Sequence, residues 1–195
     1  MSKVTDSGRR GRPRQPGLDE ALLVAALEEM SRVGYTRMNL AAVAERAGTT
    51  KTTLYSRYGS KEELATAALE SLRRRTERAL SGDLRQDLIE ELTLFRRGAL
   101  RPNGMSMIGA VLAEEHENPE LLTLFREHVV RPRRENLRRI LKAAATTGQL
   151  KPTAEIELGI TMMIGALYAS YIAGKTPGPD WPRRVVDAWL EANAA

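Results

Sequence analysis

The sequence predicts an all-α protein of about nine helices, with a small N-terminal three-helix unit followed by a larger helical domain. Three observations support this fold class. Apolar residues recur at intervals of three to five along most of the chain, as in amphipathic helices. Glycines, and one asparagine–proline pair, interrupt those runs where helices should end or begin. No segment shows the sustained apolar–polar alternation that is typical of strands.

The positive charge is concentrated at the N-terminus. The formal net charge is +5, of which residues 1–17 carry +4 and the remaining 178 residues only +1. Because this segment is rich in glycine, proline and arginine and has almost nothing to bury, we expect a flexible basic arm over 1–17. Such an arm suits a polyanion. Its expected contacts are Arg9, Arg10, Arg12 and Arg14.

Four helices should follow the arm. The spacing of apolar residues and glycines predicts helices over about 18–33, 40–47, 50–58 and 61–80. Asn39 and Ser60 are the expected N-caps of the second and fourth, and Gly34 and Gly48 should end the first and second. The fourth helix is long enough to connect the two domains, which we place at 18–66 and 67–195.

Five further helices are predicted beyond Gly82. Their expected ranges are about 84–99, 104–116, 118–147, 153–174 and 180–193. Asn118 and Pro119 form a strong start signal for the third of them. Pro132 lies inside that same helix and removes a backbone hydrogen bond, so we expect a kink or a break there.

Composition excludes several classes of protein. The 195 residues are 42% apolar and 28% charged, as in ordinary globular proteins, and contain no cysteine for disulfides or thiolate metal sites. The N-terminus lacks the apolar core of a signal peptide. The uncharged stretch 158–174 is short for a membrane span and contains tyrosine, threonine and serine. We therefore expect a cytoplasmic protein without membrane contact, in which this stretch is buried by its own core and a partner subunit.

A helix-turn-helix spacing lies in the N-terminal unit. Ala44, Gly48 and Leu54 supply the small residue, the turn glycine and the apolar wedge that two steeply crossing helices need. Hydroxyl, lysine and tyrosine side chains crowd the start and outer side of the next helix, where they suit phosphates and base edges in a major groove. The residues expected to contact DNA there are Asn39, Thr49, Thr50, Lys51, Thr52, Thr53, Tyr55, Ser56, Tyr58 and Lys61.

A plainer interpretation of the same residues remains open. The threonines could simply cap the helix, with Lys51, Arg57 and Lys61 forming a solvated face. The basic arm favours DNA binding, because an arm before a three-helix unit lies in the adjacent minor groove in known geometries.

The stretch "GYTRMNLAAVAERAGTTKTTLYSRYGSKEEL" resembles the N-terminal DNA-binding domain of the TetR family of transcriptional regulators. The similarity is close over 18–66 and extends beyond only in helix count and length. It implies a homodimer, an effector pocket in the C-terminal helical domain, and a dimer interface made by the last two helices. Met38 and Arg57 depart from the family pattern, which usually has a phosphate-contacting hydroxyl and often a histidine at these positions.

Methionine and aromatic side chains of the C-terminal domain predict an adaptable apolar ligand pocket. The candidates are Met107, His116, Phe125, Met162, Met163, Tyr168 and Tyr171. Plain core packing is the alternative for each, and two histidines alone do not make a metal site. A second basic cluster over 126–142 is open to three interpretations: DNA contact, an anionic effector or a solvated helix face. The apolar stripe opposite favours the last.

Small residues near the C-terminus predict a close approach of helices. Gly165, Ala169 and Ala173 recur every four residues and form a smooth ridge. The expected dimer interface comprises Leu158, Gly165, Ala169, Ala173, Trp189 and Leu190. A two-fold dimer predicts a palindromic operator on double-stranded DNA.

The sequence favours a ligand-responsive homodimeric repressor, with an effector-independent dimeric DNA-binding protein as the alternative. An enzyme is disfavoured, because the chain has no glycine-rich phosphate loop, nucleophile elbow or histidine-rich metal spacing. We expect no cofactor and no metal.

Overall fold

The computed structural model describes residues 17–72 and 79–195, which are helical apart from turns, loops and one isolated bridge between Leu150 and Ala194. The helices are α1 (Leu18–Val33), α2 (Leu40–Arg46), α3 (Lys51–Arg57), α4 (Lys61–Ser71), α5 (Leu84–Ala99), α6 (Gly104–Ala113), α7 (Pro119–Phe125), a π-helical segment (Arg126–Val130), α8 (Arg131–Thr146), α9 (Ile156–Ile172) and α10 (Trp181–Asn193). The all-α prediction is confirmed. The basic arm, with its four arginines, lies outside the described residues.

Helices α1, α2 and α3 begin and end close to the signals in the sequence, and α4 begins at one. Asn39, Thr50 and Ser60 cap α2, α3 and α4, each side chain accepting a hydrogen bond from a backbone N–H in the first turn. Gly48 has a φ of 69°, in the left-handed region, and this conformation lets the chain turn sharply from α2 into α3. The described part of α4 ends at Ser71, and residues 79 and 80 are not helical, so the helix is shorter than the predicted 61–80.

Pro132 does not break its helix. The backbone stays right-handed helical from α7 through the π-helical segment into α8, so the described residues form nine helical rods. In the wider π turn, the N–H of Arg131 reaches the carbonyl of Arg126. This turn lies directly before the proline, where a regular α-helix would bring a carbonyl against its ring. Instead of the predicted kink or break, the helix accommodates Pro132 by widening one turn into a π-helix.

Two clusters of buried apolar side chains form the interior. The first joins α1–α4 with α6 and α7, through residues such as Met107, Val111 and Phe125. The second is built from α5, α8, α9 and α10. The sequence predicts a domain boundary after residue 66. In the structure, the first core contains side chains from both sides of that boundary. The helix-turn-helix unit thus shares its core with α6 and α7.

Trp189 and Leu190 pack into their own subunit. Trp189 is only 7% exposed, and a Cβ atom on Gly159 of α9 would lie 2.7 Å from its ring atoms. Leu190 packs against the same core. Helix α10 thus turns both side chains toward helices of the same chain, and their part in a dimer interface stays a prediction.

We expect Gly159→Ala to lower the free energy of unfolding by about 1–3 kcal/mol, because the added methyl group overpacks the indole contact. Urea denaturation followed by circular dichroism measures the change. Gly109→Ala is the matched control, since a Cβ there would meet no atom within 4 Å. Equal losses in the two variants would contradict the close contact between Gly159 and Trp189.

Candidate functional site

Helix α3 presents a polar face opposite its buried residue Leu54. Lys51, Thr52, Tyr55 and Ser56 are all exposed. Because residues four apart lie above one another on a helix, the pairs 51/55 and 52/56 form one continuous strip. We call these four side chains the outer face of α3.

The outer face carries a positive charge and directed hydrogen-bonding groups. The Lys51 Nζ lies 5.7 Å from the centroid of the Tyr55 ring, within the range of a cation–π contact. The Ser56 hydroxyl donates to the carbonyl of Thr53 at 2.8 Å. No acidic residue occurs within α3. The Lys51 ammonium and the Tyr55 hydroxyl can therefore both donate hydrogen bonds to one partner that carries acceptor groups.

Two of the predicted DNA-contacting threonines are engaged in the cap. The Thr53 N–H donates to the Thr50 Oγ1 at 3.2 Å, and the two hydroxyl oxygens are 3.0 Å apart. Thr49 is half-buried in the turn before them. The hydroxyls of Thr50 and Thr53 thus form the cap of α3. Lys51 and Thr52 are the exposed side chains on the outer side of its first turn.

Ion pairs hold α3 and α2 against α1. Arg57 pairs with Asp19 of α1 through a short contact. Glu29 of α1 is almost completely buried and pairs with Arg46 of α2 at 3.5 Å. Tyr58, which the sequence predicts to contact DNA, is half-buried against the first core. These contacts fix the orientation of the outer face relative to α1.

Lys61 is held within the subunit. Its Nζ donates to the carbonyl of Thr36 at 2.9 Å and lies 4.7 Å from the centroid of the Tyr35 ring. Burial lowers the pKa of Lys61, and the nearby charge of Glu114 opposes that shift. Within the subunit Lys61 therefore holds the loop between α1 and α2, and its contact with DNA stays a prediction. Met38 of the same loop is buried in the core.

Glu114, just after α6, anchors the same loop from the other side. It is 8% exposed and accepts hydrogen bonds from the Thr36 N–H at 2.9 Å, from the Thr36 hydroxyl and from the Asn118 side chain. Burial alone would raise the pKa of Glu114, but these hydrogen bonds and the charge of Lys61 outweigh burial and lower it. We call this arrangement the Glu114 clamp. Sequence reasoning missed it, because Thr36 and Glu114 are 78 residues apart and no sequence pattern links the two.

A cavity of about 110 Å³ lies between the two cores. Residues of α5, α6, α7, the π-helical segment, α8 and α9 contribute to its wall. Three of the predicted ligand residues line it, namely Met107, Phe125 and Tyr168. Phe95 packs edge-on against Tyr168, with ring centroids 5.7 Å apart, and gives the wall a rigid aromatic side.

The other four predicted ligand residues do not line this cavity. Met163 is completely buried in the second core. Met162 and Tyr171 point outward on α9, and His116 is exposed beyond the end of α6. Helical periodicity explains the difference, since Met162 and Met163 lie about 100° apart around α9 and only one can face inward. In the described part of the chain, no group of three or more acidic or histidine side chains is placed to hold a metal.

Arg133 is an unusual polar group of the cavity wall. Its guanidinium carbon lies 4.9 Å from the centroid of the Phe95 ring, and its Nη1 is shielded from solvent without a hydrogen-bond partner. Burial lowers the pKa of Arg133, while the charge of Glu91 opposes the shift. Arg101 also lines the cavity, and burial lowers its pKa too.

Other members of the second basic cluster lie at the protein surface. Arg134 and Arg138 both bind Glu157 of α9, at 3.0 and 2.5 Å. Hydrogen bonds from Arg138 and Arg134 lower the pKa of Glu157 to about 2. These pairs tie α8 to α9. Arg134 and Arg138 are half-buried in these pairs, and Arg133 lines the cavity. The solvated face that the sequence favours is therefore formed by the exposed members Arg126, Arg131, Arg139 and Lys142.

Helix α9 exposes an apolar stripe to solvent. Met162 is 56% exposed and Ile172 is 82% exposed. A Cβ atom on Gly165 would meet no atom within 4 Å, so its own subunit does not require a glycine there. Among the described residues, no helix is long and apolar enough to cross a membrane. We call this stripe the outer face of α9; its members are Leu158, Met162, Gly165, Ala169, Ile172 and Ala173.

Comparison with known proteins gives a consistent result over nearly the whole chain. The family profile described as "Bacterial regulatory proteins, tetR family" matches residues 22–68, and "Tetracyclin repressor-like, C-terminal domain" matches residues 78–189. An uncharacterized HTH-type transcriptional regulator of Mycobacterium bovis is 30% identical over 189 residues, covering 96% of this chain and 92% of that protein.

Two further relatives carry more specific descriptions. The DNA-binding transcriptional repressor TetR of Mycobacteroides abscessus is 35% identical over 114 residues, covering 57% of this chain and 60% of that protein. The transcriptional regulator FadR of Bacillus subtilis, whose crystal structure contains stearoyl-CoA, has a TM-score of 0.65 and 17% identity, covering 88% of this chain and 95% of that one. At that identity, the second comparison establishes a shared fold.

Proposed function

Because the chain belongs to the TetR family of transcriptional regulators, which bind DNA and are not enzymes, we propose that it is a ligand-responsive homodimeric repressor of a palindromic operator. The observation that carries this proposal is the outer face of α3, an exposed cationic strip on a short helix held rigidly by buried partners. The repressor role is supported by the relative from Mycobacteroides abscessus that is described as a transcriptional repressor.

The outer face of α3 suits a major groove. Lysine donates to guanine acceptors or to phosphate, and threonine offers a hydroxyl together with a methyl group for thymine. Tyr55 presents its phenol beside the Lys51 ammonium, so the two can contact adjacent positions of the duplex. Because Arg57 and Tyr58 are used inside the unit, the contacts that determine sequence preference come from Lys51, Thr52, Tyr55 and Ser56.

We expect Lys51→Ala and Tyr55→Ala each to weaken operator binding by about tenfold or more, without altering the fold. The operator is first selected from random duplexes with the wild-type protein, and affinities are then measured by fluorescence anisotropy at fixed salt. Lys142→Ala is the matched control, since Lys142 is an exposed lysine on α8. If the α3 variants bind the selected operator as tightly as this control does, the assignment of α3 is wrong.

The outer face of α9 supports a second copy of the chain as the partner. Its apolar side chains are too exposed to contribute to the core of their own subunit. A glycine inside a helix lowers the stability of that helix by about 1 kcal/mol relative to alanine. No contact within the subunit requires a glycine at position 165, because a Cβ atom there would meet no atom within 4 Å. A smooth stripe of small residues allows the same stripe of a second copy to approach closely. The two α3 helices would then meet two half-sites related by two-fold symmetry.

The position of the cavity supports an effector response. Helix α6 lines the cavity with Gly104, Met107 and Ile108 near its start and ends beside the Glu114 clamp on the helix-turn-helix unit. A ligand that changes the packing of α6 therefore shifts the loop before α2. For the ligand to release the operator, it must bind the DNA-incompetent state more tightly than the competent one. Ligand binding and operator binding then weaken each other by the same coupling free energy. If no cavity ligand changes operator affinity, the effector-independent dimer is the correct function.

A further inference from the structure

We propose that the effector is a small amphipathic carboxylic acid, whose carboxylate pairs with Arg133 while its apolar body fills the rest of the cavity. This inference rests on the proposed function only in taking the cavity as the effector site. It specifies the chemical class of the ligand, which neither the family nor the fold determines.

The first argument is the unsatisfied guanidinium. The Nη1 of Arg133 is shielded from solvent and has no hydrogen-bond partner, although most buried polar atoms have one. An unpaired buried donor raises the free energy of the folded protein, and because Arg133 lines the cavity, an acceptor bound there can pair with its guanidinium. A carboxylate supplies two coplanar oxygens that match the fork of N–H groups.

The second argument is the charge of the wall. Arg101 and Arg133 both line the cavity, and none of the described lining residues is an aspartate or a glutamate. A cationic ligand would be repelled there, and a neutral one would bring no charge to pair with either arginine. Glu91 is the acidic group whose charge reaches Arg133, and it lies outside the lining.

The third argument is that the anion site is preorganised. The guanidinium of Arg133 lies against the face of Phe95, and a Cβ atom on Gly98 would be 3.8 Å from its Nη2. Little side-chain freedom is therefore lost on binding. The remaining wall, including Met107 and Ile164, is apolar and offers a surface for a hydrocarbon chain or ring. The volume of about 110 Å³ favours a compact headgroup and a short body.

A matched ligand series tests this inference on the full chain. Hexanoate, hexanamide, hexylamine and hexyl phosphate share one alkyl body and differ in the headgroup. Isothermal calorimetry and thermal unfolding at neutral pH should show hexanoate binding about tenfold or more tightly than hexanamide, with no binding of hexylamine. Equal binding of acid and amide, tighter binding of the phosphate, or binding of the amine would overturn the assignment.

Variants locate the carboxylate. Arg133→Gln should weaken hexanoate binding about tenfold or more while changing hexanamide binding little. Arg126→Gln, an exposed arginine outside the cavity lining, should leave both affinities unchanged. Undiminished hexanoate binding in Arg133→Gln would refute the role of Arg133. If that variant does not fold, the comparison of acid with amide in the wild type still decides the ligand class.

Operator binding separates this inference from the proposed function. Ligand affinities are measured on the protein without DNA, and operator selection is performed without ligand. An operator-binding protein that prefers neutral ligands would disprove the carboxylate inference and leave the regulator intact. A protein that binds hexanoate at Arg133 but selects no operator would disprove the regulator and leave the ligand class intact.

Discussion

Met162→Asp is expected to convert the dimer into a monomer and to weaken operator binding by about a hundredfold or more. Met162 lies near the middle of the outer face of α9 and is 56% exposed in the single subunit. An aspartate there would place two like charges close to the two-fold axis and bury them without partners. A monomer engages only one half-site and loses the gain of about a hundredfold or more that linked binding supplies.

Light scattering with size-exclusion chromatography measures the oligomeric state, and fluorescence anisotropy measures the affinity for the operator. Leu112→Asp is the matched control, because Leu112 on α6 is 55% exposed and lies off the outer face of α9. The control should stay dimeric. A Met162→Asp protein that remains a dimer with wild-type operator affinity would show that the interface lies elsewhere.

The second large effect is expected at the Glu114 clamp. Glu114→Gln should lower the free energy of unfolding by about 2 kcal/mol, because an amide cannot accept the hydrogen bonds from Thr36 and Asn118 as a carboxylate does. Operator affinity should fall as well, since the loop before α2 loses its anchor. Glu115→Gln is the control, because Glu115 is exposed beside it. Equal stability of the two variants would contradict the clamp.

The same substitution predicts a pH dependence. The pKa of Glu114 is lowered in the folded state, so its carboxylate stabilises the protein fully above its ordinary pKa of 4.5 and loses that contribution as the pH falls through the folded-state value. The stability difference between wild type and Glu114→Gln should therefore be constant from pH 7 to about pH 5 and shrink at lower pH. Urea denaturation across this range measures it. A difference that grows on acidification would reverse the assigned sign.

The helix-turn-helix unit could be predicted in detail because its determinants are local. The caps at Asn39, Thr50 and Ser60 and the left-handed Gly48 each act on backbone groups within a few residues. The exposure of Lys51 and Tyr55 follows from the same helical period that buries Leu54. The DNA contacts of these residues and the dimer remain predictions, which the variants above test.

The cavity and the clamp could not be predicted in the same way. Four of seven expected ligand residues lie elsewhere, because methionines and aromatics suit a core and a pocket equally well. Arg133 looked like part of a solvated basic face, since composition does not say which arginine of a helix turns inward. Trp189 looked like an interface residue, but the absence of a side chain at Gly159 gives it space inside its own subunit.

The amino-acid sequence by itself determined the all-α fold, the helix boundaries of the N-terminal unit, the polar outer side of α3 and the family. Local hydrogen bonds and helical periodicity govern these features, and both can be followed along the chain. Only the tertiary structure decided which side chains meet across distant segments: Thr36 with Glu114, Gly159 with Trp189, and Arg133 with Phe95. Such contacts depend on how whole helices pack, so no short stretch of sequence records them.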